Sequence, residues 1–443
     1  MEGESEKASS DSWVVDIKKK LENTDPLQEK KRWEKPSIYR VPEWVMNLTH
    51  EEAYQPQVVS LGPFHHGERA LRPMEEHKQR AVLHIVKRSK RPLEEFIAAI
   101  EKVADELLDA YDGLADEWRR EKRGRFVEMM VADGCFLLEV MKGLAEKKAP
   151  ADYASNDPIF SVHGMLYLWV GIQSDMVVIG NQLPLLALQR LEAVWRGTYP
   201  SAAEINRLVR DFLCQPLQKG IFLEGAGISD KHIDELCLHP LDVFHKSFCG
   251  RSDCQGTGQW EWSVPSAVEL KEAGIQFKKS KTQNVCDVVF QNGVLSMPAV
   301  PVHNSIEKIF LNLMVFERLH SDAGSNATAY MIFMDNLIDS EKDVALLRSK
   351  GIIKNLLSSD KEAANMFNIL SKGAVLSPSS KLHDVRRELN AHCKKPWNRW
   401  RAIFVHKYLN NPWVFMSLIT ATILLFATLL QTIYAVVDFH TKS

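Results

Sequence analysis

The sequence predicts a mainly α-helical protein with a small antiparallel β insertion and one C-terminal transmembrane helix. Apolar residues recur at helical spacing through most of the chain, whereas the stretch at about 250–300 is richer in Gly, Ser and alternating residues. Residues 413–437 contain no Asp, Glu, Lys or Arg. The chain has 443 residues, of which 45% are hydrophobic and 25% charged, so it has enough apolar material for a large core.

The soluble part is predicted to span residues 36–393. Residues 1–35 are charged and poor in core-forming side chains, which indicates disorder or a loose helix. The stretch 125–141 is apolar nearly all round and predicts a central buried helix. A similar apolar stretch at 175–191 predicts a second one, with Pro184 starting its second half.

The β insertion is predicted from two patterns. Residues 274–280 alternate between apolar and polar side chains, and Asn292-Gly293 lies between β-forming residues. Asn-Gly in that setting is a strong hairpin signal. Helical patterns return at 306–319, 329–338, 343–357 and 363–370.

The apolar stretch 413–437 is long enough to cross a membrane. As a helix it spans roughly 37 Å, against a hydrocarbon core of ~30 Å. Several basic residues precede it, whereas Lys442 is the only Lys or Arg in the tail 438–443. The positive-inside rule therefore predicts that the large domain is cytosolic, and the short tail favours insertion after translation. We expect the plasma membrane rather than an internal membrane.

A cytosolic domain has consequences for its cysteines and glycosylation sequons. The seven cysteines are expected to be mostly reduced, and the sequons at Asn47 and Asn326 to remain unglycosylated. The formal net charge of −2 gives no overall field that would attract nucleic acid, so we predict no nucleic-acid partner.

The segment 394–412 is predicted to lie at the membrane surface. Trp397, Trp400 and Phe404 occur at i, i+3 and i+7, which suits an interfacial helix. Packing of the indoles on the soluble domain is the alternative, and both can hold. The predicted interface residues are Lys394, Lys395, Trp397, Arg399, Trp400, Arg401, Lys407 and Trp413.

A thin polar stripe runs along the predicted transmembrane helix. Ser417, Thr420, Thr428 and Gln431 lie near one helix face, so they could associate with a second copy and form a homo-oligomer. The hydroxyl groups can instead bond to carbonyl groups of their own helix, leaving Gln431 as the main polar outlier. We favour a simple anchor.

Four residues are candidates for a pocket or a structural motif: His65, His66, Asp133 and Glu139. Adjacent histidines in extended backbone point to opposite faces, so a turn stabilised by one buried, hydrogen-bonded His is favoured over a shared metal ion. Asp133 and Glu139 lie in an apolar helix, where a carboxylate is costly unless it has a partner. Pairing with Arg or helix capping is favoured over catalysis, and Asp133-Gly134 can equally mark close helix packing.

A second candidate is the run Cys237, His239, His245, Cys249 and Cys254. His245 and Cys249 are four residues apart and could face one ion from a helix, but the spacings match no common zinc module. We expect free cysteines, and predict no metal or other cofactor. The sequence also has no phosphate-binding loop, nucleophile elbow or kinase catalytic loop, which argues against an enzyme without excluding one.

A set of short motifs is spread in a fixed order along most of the chain: Ile38–Pro42, Ser60–Gly67, Met74–Lys78, Asp133–Glu139, Asn181–Pro184, Pro265–Leu270, Phe333–Ile338, Leu389–Cys393 and Trp397–Trp400. Together these motifs resemble the plant domain-of-unknown-function 247 family over about residues 38–437. This resemblance implies a land-plant protein with one C-terminal membrane helix and no established biochemical activity. Some relatives are linked to pollen–stigma self-incompatibility in grasses, which implies recognition or signalling.

Two departures from the family pattern stand out. The family usually has Glu before its Asn-Gln-apolar-Pro motif, where this chain has Gly180, and the usual Thr-Glu pair is altered around 304–307. The first functional hypothesis is a single-pass, membrane-anchored recognition or signalling protein that binds other proteins without catalysis. The alternative is an unrecognised enzyme with a pocket near His65, His66, Asp133 and Glu139.

Overall fold

The computed structural model describes residues 13–22, 25–146, 152–214, 235–250, 263–282, 284–285, 287–375, 382–404 and 412–441. It confirms the mainly helical fold class. The chain divides into two compact units, of which unit 1 comprises 1–42, 54–212 and 233–243. Unit 2 comprises 43–53, 213–232 and 244–443.

The N-terminal half of the chain contains helices and no strand longer than an isolated bridge among its described residues. The helices are α1 (13–22), α2 (Pro26–Trp33), α3 (Glu43–Met46), α4 (Pro73–Ser89), α5 (Leu93–Glu101), α6 (Ala104–Asp109), α7 (Arg123–Glu146), α8 (Val162–Tyr167), α9 (Trp169–Asp175), α10 (Leu185–Arg196) and α11 (Ala202–Cys214). Short 3-10 helices occur at Glu51–Tyr54 and Asp116–Trp118.

Among its described residues, the C-terminal half contains five strands as well as helices. These elements are α12 (Pro240–Cys249), α13 (Ala267–Glu272), β1 (Gln276–Lys279), β2 (Val289–Gln291), β3 (Val294–Met297), β4 (Val300–Val302), α14 (Asn304–Leu319), α15 (Asn326–Leu337), α16 (Glu341–Ser349), β5 (Ile353–Asn355), α17 (Asp360–Leu370), α18 (Leu382–Lys394), α19 (Pro396–Phe404) and α20 (Pro412–Thr441).

In unit 1, α7 is the central helix, against which α4, α5 and α10 pack. Its apolar side chains on several faces are fully buried, among them Phe126, Met130 and Leu137. A helix that is apolar nearly all round can satisfy all its faces only inside a ring of other elements, and this is the environment α7 has. The central buried helix predicted for 125–141 is therefore present.

The helix start and stop signals around α7 follow the sequence closely. α4 begins at Pro73, where the missing N–H costs nothing, and has Glu75 and Glu76 in its first turn. α10 begins directly after Pro184 and ends at Gly197, whose φ of 72° lies in the left-handed region.

In unit 2, the hairpin predicted at Asn292-Gly293 is present between β2 and β3. Asn292 and Gly293 have φ of 51° and 78°, the left-handed pair that a two-residue hairpin requires. The insertion is nevertheless a mixed sheet and not a purely antiparallel one, because β1 pairs with β3 in parallel. No two-residue turn joins β1 to its neighbour, so its direction is not constrained to be antiparallel.

A second, two-stranded parallel sheet joins β4 to β5. The sequence pattern at 343–357 predicts a helix throughout, but α16 ends at Ser349 and β5 follows. Gly351, with φ of 70°, stops the helix, and the β-branched pair Ile352-Ile353 then favours an extended strand.

The C-terminal helix α20 contains a stretch, Trp413–Tyr434, that is long and apolar enough to cross a membrane. None of this stretch is buried against the rest of the protein. A water-soluble protein would bury so apolar a helix, so its exposure favours a lipid environment.

Candidate functional site

An extended segment at 57–62 in unit 1 is held by side chains instead of by a neighbouring strand. Its backbone N–H groups donate to three buried acceptors. Gln57, Val58 and Val59 donate to the Asp175 carboxylate at 2.9, 2.6 and 2.9 Å. Leu61 donates to Asn181 Oδ1 at 2.7 Å, and Gly62 to Asp133 Oδ2 at 2.8 Å. The segment thereby satisfies its backbone without a sheet.

The side chains of Ser60, Glu75, Lys78 and Asp133 form a polar cluster. Lys78 lies at its centre and is fully buried. Its Nζ is 2.7 Å from Asp133 Oδ1, 2.6 Å from Glu75 Oε1 and 3.0 Å from Ser60 Oγ. Burial raises the pKa of the Asp133 carboxyl, while Lys78 and the Gly62 N–H act in the opposite direction. The ammonium group therefore ties α4, α7 and the extended segment together.

Gly62 is required where the segment turns. Its φ is 72°, and a Cβ there would lie 2.5 Å from Tyr111 Oη and 2.8 Å from the Gln182 carbonyl oxygen. The Tyr111 hydroxyl donates to that same carbonyl at 3.0 Å. Glycine alone provides both this backbone conformation and this close approach.

The turn at 176–184 replaces the first half of the helix predicted for 175–191. Gln182 Nε2 donates to the carbonyl oxygens of Met176 and Val178, both at 2.7 Å. Asn181 Nδ2 donates to the Val59 and Asp175 carbonyl oxygens at 3.0 and 3.1 Å. Side-chain amides that bond to nearby carbonyl groups compete with helical hydrogen bonds, which explains why the helix begins only at Leu185.

His65 lies at the end of the turn that Gly62 starts. Its Nδ1 is 2.7 Å from Glu68 Oε1, and its ring is mostly buried. Burial lowers the pKa of His65, and Glu68 only partly opposes that effect. A Cβ on Gly180 would come within 3.3 Å of His65 Nε2, so Gly180 leaves room for the imidazole.

Glu139 is placed in a different group of charges from Asp133. It forms an ion pair with Arg88 and is buried. Burial raises the pKa of Glu139, and Arg88 opposes the rise. Arg88 in turn lies 3.3 Å from Asp152. The structure therefore gives each of the two candidate acids of α7, Asp133 and Glu139, a basic partner from α4.

A groove of about 670 Å³ runs between α4, α5 and α7. Three apolar side chains that line the groove are well exposed: Leu83 by 68%, Leu93 by 41% and Ile97 by 42%. Of the four candidate pocket residues, His66 is the one that lines it, and its Nδ1 is buried without a hydrogen-bond partner. The full lining is His66, Glu75, Gln79, Val82, Leu83, Leu93, Ile97, Glu101, Gly124, Arg125, Val127, Glu128, Met129, Val131 and Ala132.

The charges at the groove are mainly acidic. Glu75, Glu101 and Glu128 line it, against the single cation Arg125. Glu75 is bound by Lys78, and Glu101 lies 2.8 Å from Arg123. No cation among the described residues lies within ion-pair distance of Glu128. Glu75 belongs both to the groove and to the polar cluster around Lys78. The contact with Lys78 therefore holds one of the groove's carboxylates in place.

The cysteine and histidine run does not form one cluster. Cys237 and His239 belong to unit 1, where His239 Nε2 contacts the Ser37 carbonyl oxygen at 3.0 Å. His245 and Cys249 belong to unit 2 and lie beside Glu317. Cys254 lies outside the described residues.

Three residues that organise these sites are not among the candidates predicted from the sequence: Lys78, Asn181 and Glu317. For Lys78 a signal exists, because Met74, Lys78, Ala81 and Ile85 occupy one helical stripe and all four are buried. A lysine inside an apolar stripe indicates a buried charge that needs a carboxylate. The identity of that carboxylate, Asp133, is not a local property of the sequence.

The predicted membrane-interface residues lie on α18, on α19, at Lys395 between these two helices and at the start of α20, except Lys407, which is outside the described residues. Lys394, Lys395, Arg399 and Arg401 are exposed. The indoles of Trp397 and Trp400 are 80% and 74% exposed, and Trp413 is exposed as well. The indoles therefore do not pack into the described part of the soluble domain.

The polar stripe on α20 is largely satisfied within its own helix. Ser417 Oγ donates to the Val414 carbonyl oxygen at 3.2 Å, Thr420 Oγ1 to Met416 at 2.9 Å and Thr428 Oγ1 to Leu424 at 2.7 Å. Gln431 is exposed. These bonds leave its amide as the main polar group of the stripe available to a neighbour.

The sequence profile of the domain-of-unknown-function 247 family, described as "Plant protein of unknown function", matches residues 38–427. The UPF0481 protein At3g47200 of Arabidopsis thaliana is 30% identical over 434 residues, which cover 91% of this chain and 86% of that protein. The putative UPF0481 protein At3g02645 of the same plant is 30% identical over 173 residues, 39% of this chain and 33% of that protein. No solved structure matches the chain. The chain belongs to the plant domain-of-unknown-function 247 family.

Proposed function

We propose that this protein is a membrane-anchored recognition protein, in which the groove between α4, α5 and α7 binds a helix of another protein. The groove itself carries the proposal. It exposes Leu83, Leu93 and Ile97 together beside a volume of about 670 Å³, in a family with no assigned activity. Helices commonly bind by inserting an apolar stripe into a groove formed by other helices.

The charges of the residues that line the groove indicate which kind of helix would bind there. Three carboxylates and one guanidinium line the groove, and among the described residues Glu128 has no cation within ion-pair distance, so a helix with Lys or Arg beside its apolar stripe is favoured over an acidic one. His66 Nδ1, buried and without a partner, supplies a polar contact at one end. The partner we propose is a basic amphipathic helix.

The membrane part of the proposal rests on α20 and on the exposed residues before it. Exposed Trp397 and Trp400, with Lys394, Lys395, Arg399 and Arg401 near them, suit the headgroup region of an anionic leaflet. Each such cation adds on the order of 1 kcal/mol of attraction. This favours a cytosolic large domain, with the plasma membrane as the proposed site and a simple anchor over a dimerising helix.

Binding of matched peptides to the purified full chain in nanodiscs tests the proposal. Two helical peptides share one apolar stripe and differ only in carrying Lys or Glu beside it. We expect the basic peptide to bind, and the double variant Leu83→Gln, Ile97→Gln, which removes the apolar contact without adding charge, to weaken its binding at least about tenfold, or ~1.4 kcal/mol. Leu166→Gln, at an exposed leucine of α8, is the matched control and should bind as the unmodified chain does.

A charge-reversal variant tests how the charge of the groove contributes to peptide binding, separately from its shape. Glu101→Lys with Glu128→Lys should reduce binding of the basic peptide and increase that of the acidic one. Equal binding of the two peptides to the unmodified chain, or unchanged binding to the Leu83→Gln, Ile97→Gln variant, would contradict the proposed groove for a basic helix. Co-purification from plant membranes, with the unmodified chain and the groove variant side by side, would then identify the partner.

The alternative hypothesis of an enzyme has less support. Asp133 is bound by Lys78 and Glu139 by Arg88, while His65 contacts Glu68. Only His66 of the four lines the groove. Paired carboxylates in separate groups are typical of structural ion pairs.

A further inference from the structure

Unit 2 contains a buried group of three side chains with metal-binding atoms: His245, Cys249 and Glu317. His245 and Cys249 are four residues apart on α12 and therefore share one helix face. Glu317 comes from the last turn of α14. One ligand atom from each lies within 4.8 Å of the other two, and all three residues are buried.

The donor set suits zinc. Zinc in proteins is bound by imidazole nitrogen, thiolate sulfur and carboxylate oxygen. A thiolate and a carboxylate together carry two negative charges, and with a neutral imidazole they would balance the charge of Zn²⁺. A buried site with no net charge avoids most of the cost of burying isolated ions. Neither Mg²⁺ nor Ca²⁺ would choose a thiolate, because both prefer oxygen ligands.

Glu317 is held in place by groups that would also orient it toward an ion. Its Oε1 accepts from the Ala327 N–H at 2.7 Å, and its Oε2 accepts from the Thr328 N–H at 2.8 Å and the Thr328 hydroxyl at 2.6 Å. These bonds cap the start of α15. Hydrogen-bonded carboxylates are the usual ligands of buried metal sites, because such outer contacts fix their orientation.

The distances require only a small rearrangement. His245 Nε2 and Glu317 Oε1 are 2.8 Å apart and hydrogen-bonded. Ligand atoms of a tetrahedral zinc site, with bonds of about 2.0–2.3 Å, are roughly 3.3–3.8 Å apart. The His245–Glu317 pair must therefore open by roughly 0.5–1 Å, while the widest separation in the group, at most 4.8 Å, closes by about 1 Å.

We propose that His245, Cys249 and Glu317 bind one Zn²⁺ ion. The Cys249 thiol releases its proton to solvent on binding, and the His245–Glu317 hydrogen bond is exchanged for two bonds to the ion. Among the described residues no fourth His, Cys, Asp or Glu joins the group. The ion would link α12 to α14 and, through Glu317, to the start of α15.

Metal titration of the full chain, purified in detergent and stripped with a chelator, tests this proposal. We expect one Zn²⁺ per chain, a higher thermal unfolding temperature with zinc, and a thiolate-to-metal charge-transfer band when Co²⁺ is used instead. Cys249→Ser should lose the band. Cys135→Ser, which removes a buried free cysteine of unit 1, is the matched control and should keep it.

A second variant guards against simple misfolding. His245→Gln keeps a donor for Glu317 but removes the imidazole ligand, so it should retain its circular dichroism and bind Zn²⁺ at least about tenfold more weakly. A folded unmodified chain without the thiolate band would overturn the proposal. So would a band that persists in Cys249→Ser, because another cysteine would then be the ligand.

Discussion

Single residues of unit 1 show how buried charges are tolerated when each has a partner. Lys78 contacts Asp133, Glu75 and Ser60, and no part of it is exposed. Removing one partner of such a group leaves an uncompensated charge, which costs far more than the pair itself contributes. The residues around Lys78 are therefore strongly dependent on each other.

Replacing Lys78 with Met should destabilise unit 1 by about 3–5 kcal/mol at neutral pH, because the Asp133 carboxylate is left buried without its cation. Urea denaturation of the full chain measures this loss. Lys102→Met, at an exposed lysine, is the control and should change stability by less than ~0.5 kcal/mol. The double variant Lys78→Met, Asp133→Leu should recover part of the loss.

The same variant should depend on pH in a defined direction. Burial already raises the pKa of Asp133 above its ordinary value of 3.8, and loss of Lys78 raises it further. Between 3.8 and that raised pKa the folded state holds a proton that the unfolded state has released, so stability falls as pH rises through this window. The stability deficit of Lys78→Met should consequently shrink on acidification.

His65 makes a second pH-dependent contribution, of opposite sign. Because burial lowers its pKa below 6.5, the unfolded chain takes up a proton that the folded chain does not as pH falls below 6.5. Stability is thus lost below that pH. His65→Gln should flatten the pH dependence of the unfolding free energy in this range. His163→Gln, at an exposed histidine, is the control variant and should leave the effect of His65 on this pH dependence unchanged. An unchanged slope in His65→Gln would show that the ring is accessible to protons when folded.

Whole elements depend on close approaches that the sequence only partly reveals. A Cβ on Gly134 of α7 would collide with Leu191 Cδ1 of α10, so glycine permits these helices to approach closely. Gly124, on the same helix, has open space around it. The two glycines therefore form a matched pair within α7.

Gly134→Ala should destabilise the protein by about 1–2 kcal/mol, since the added methyl group overpacks a buried contact and outweighs the gain in helix propensity. Gly124→Ala should be neutral or stabilising by up to about 1 kcal/mol, because only helix propensity changes. Thermal or urea unfolding of both variants measures the difference. Equal effects in the two would mean that Leu191 moves aside freely.

The sequence predicts those elements whose signals are local. The buried helix α7, the Asn292-Gly293 hairpin and the apolar stretch of α20 are all present. The predicted helix at 175–191 is wrong in its first half, because Asn181 and Gln182 use their amides on nearby carbonyl groups. The parallel pairing of β1 with β3 and the Lys78–Asp133 contact depend on residues far apart in the chain, which periodicity does not report.

At the level of the whole molecule, the proposed topology places everything before α20 in the cytosol. A C-terminal tag with a glycosylation sequon should then be glycosylated in plant membranes, because it lies across the bilayer. Asn47, exposed on unit 2, should remain unmodified and serves as the internal control. Asn326 is buried, so the absence of a glycan there would not indicate the orientation of the domain. Glycosylation of Asn47 without modification of the tag would reverse the orientation.

The extended segment at 57–62 has one more consequence for the molecule. Its N–H groups are bound by the side chains of Asp175, Asn181 and Asp133, so no open strand edge is offered to other chains. In a deuterium-exchange experiment, the amides of Val59, Leu61 and Gly62 should exchange as slowly as those of the central helix, although they belong to no helix or sheet. The slowest-exchanging part of unit 1 would thus include what is formally a loop.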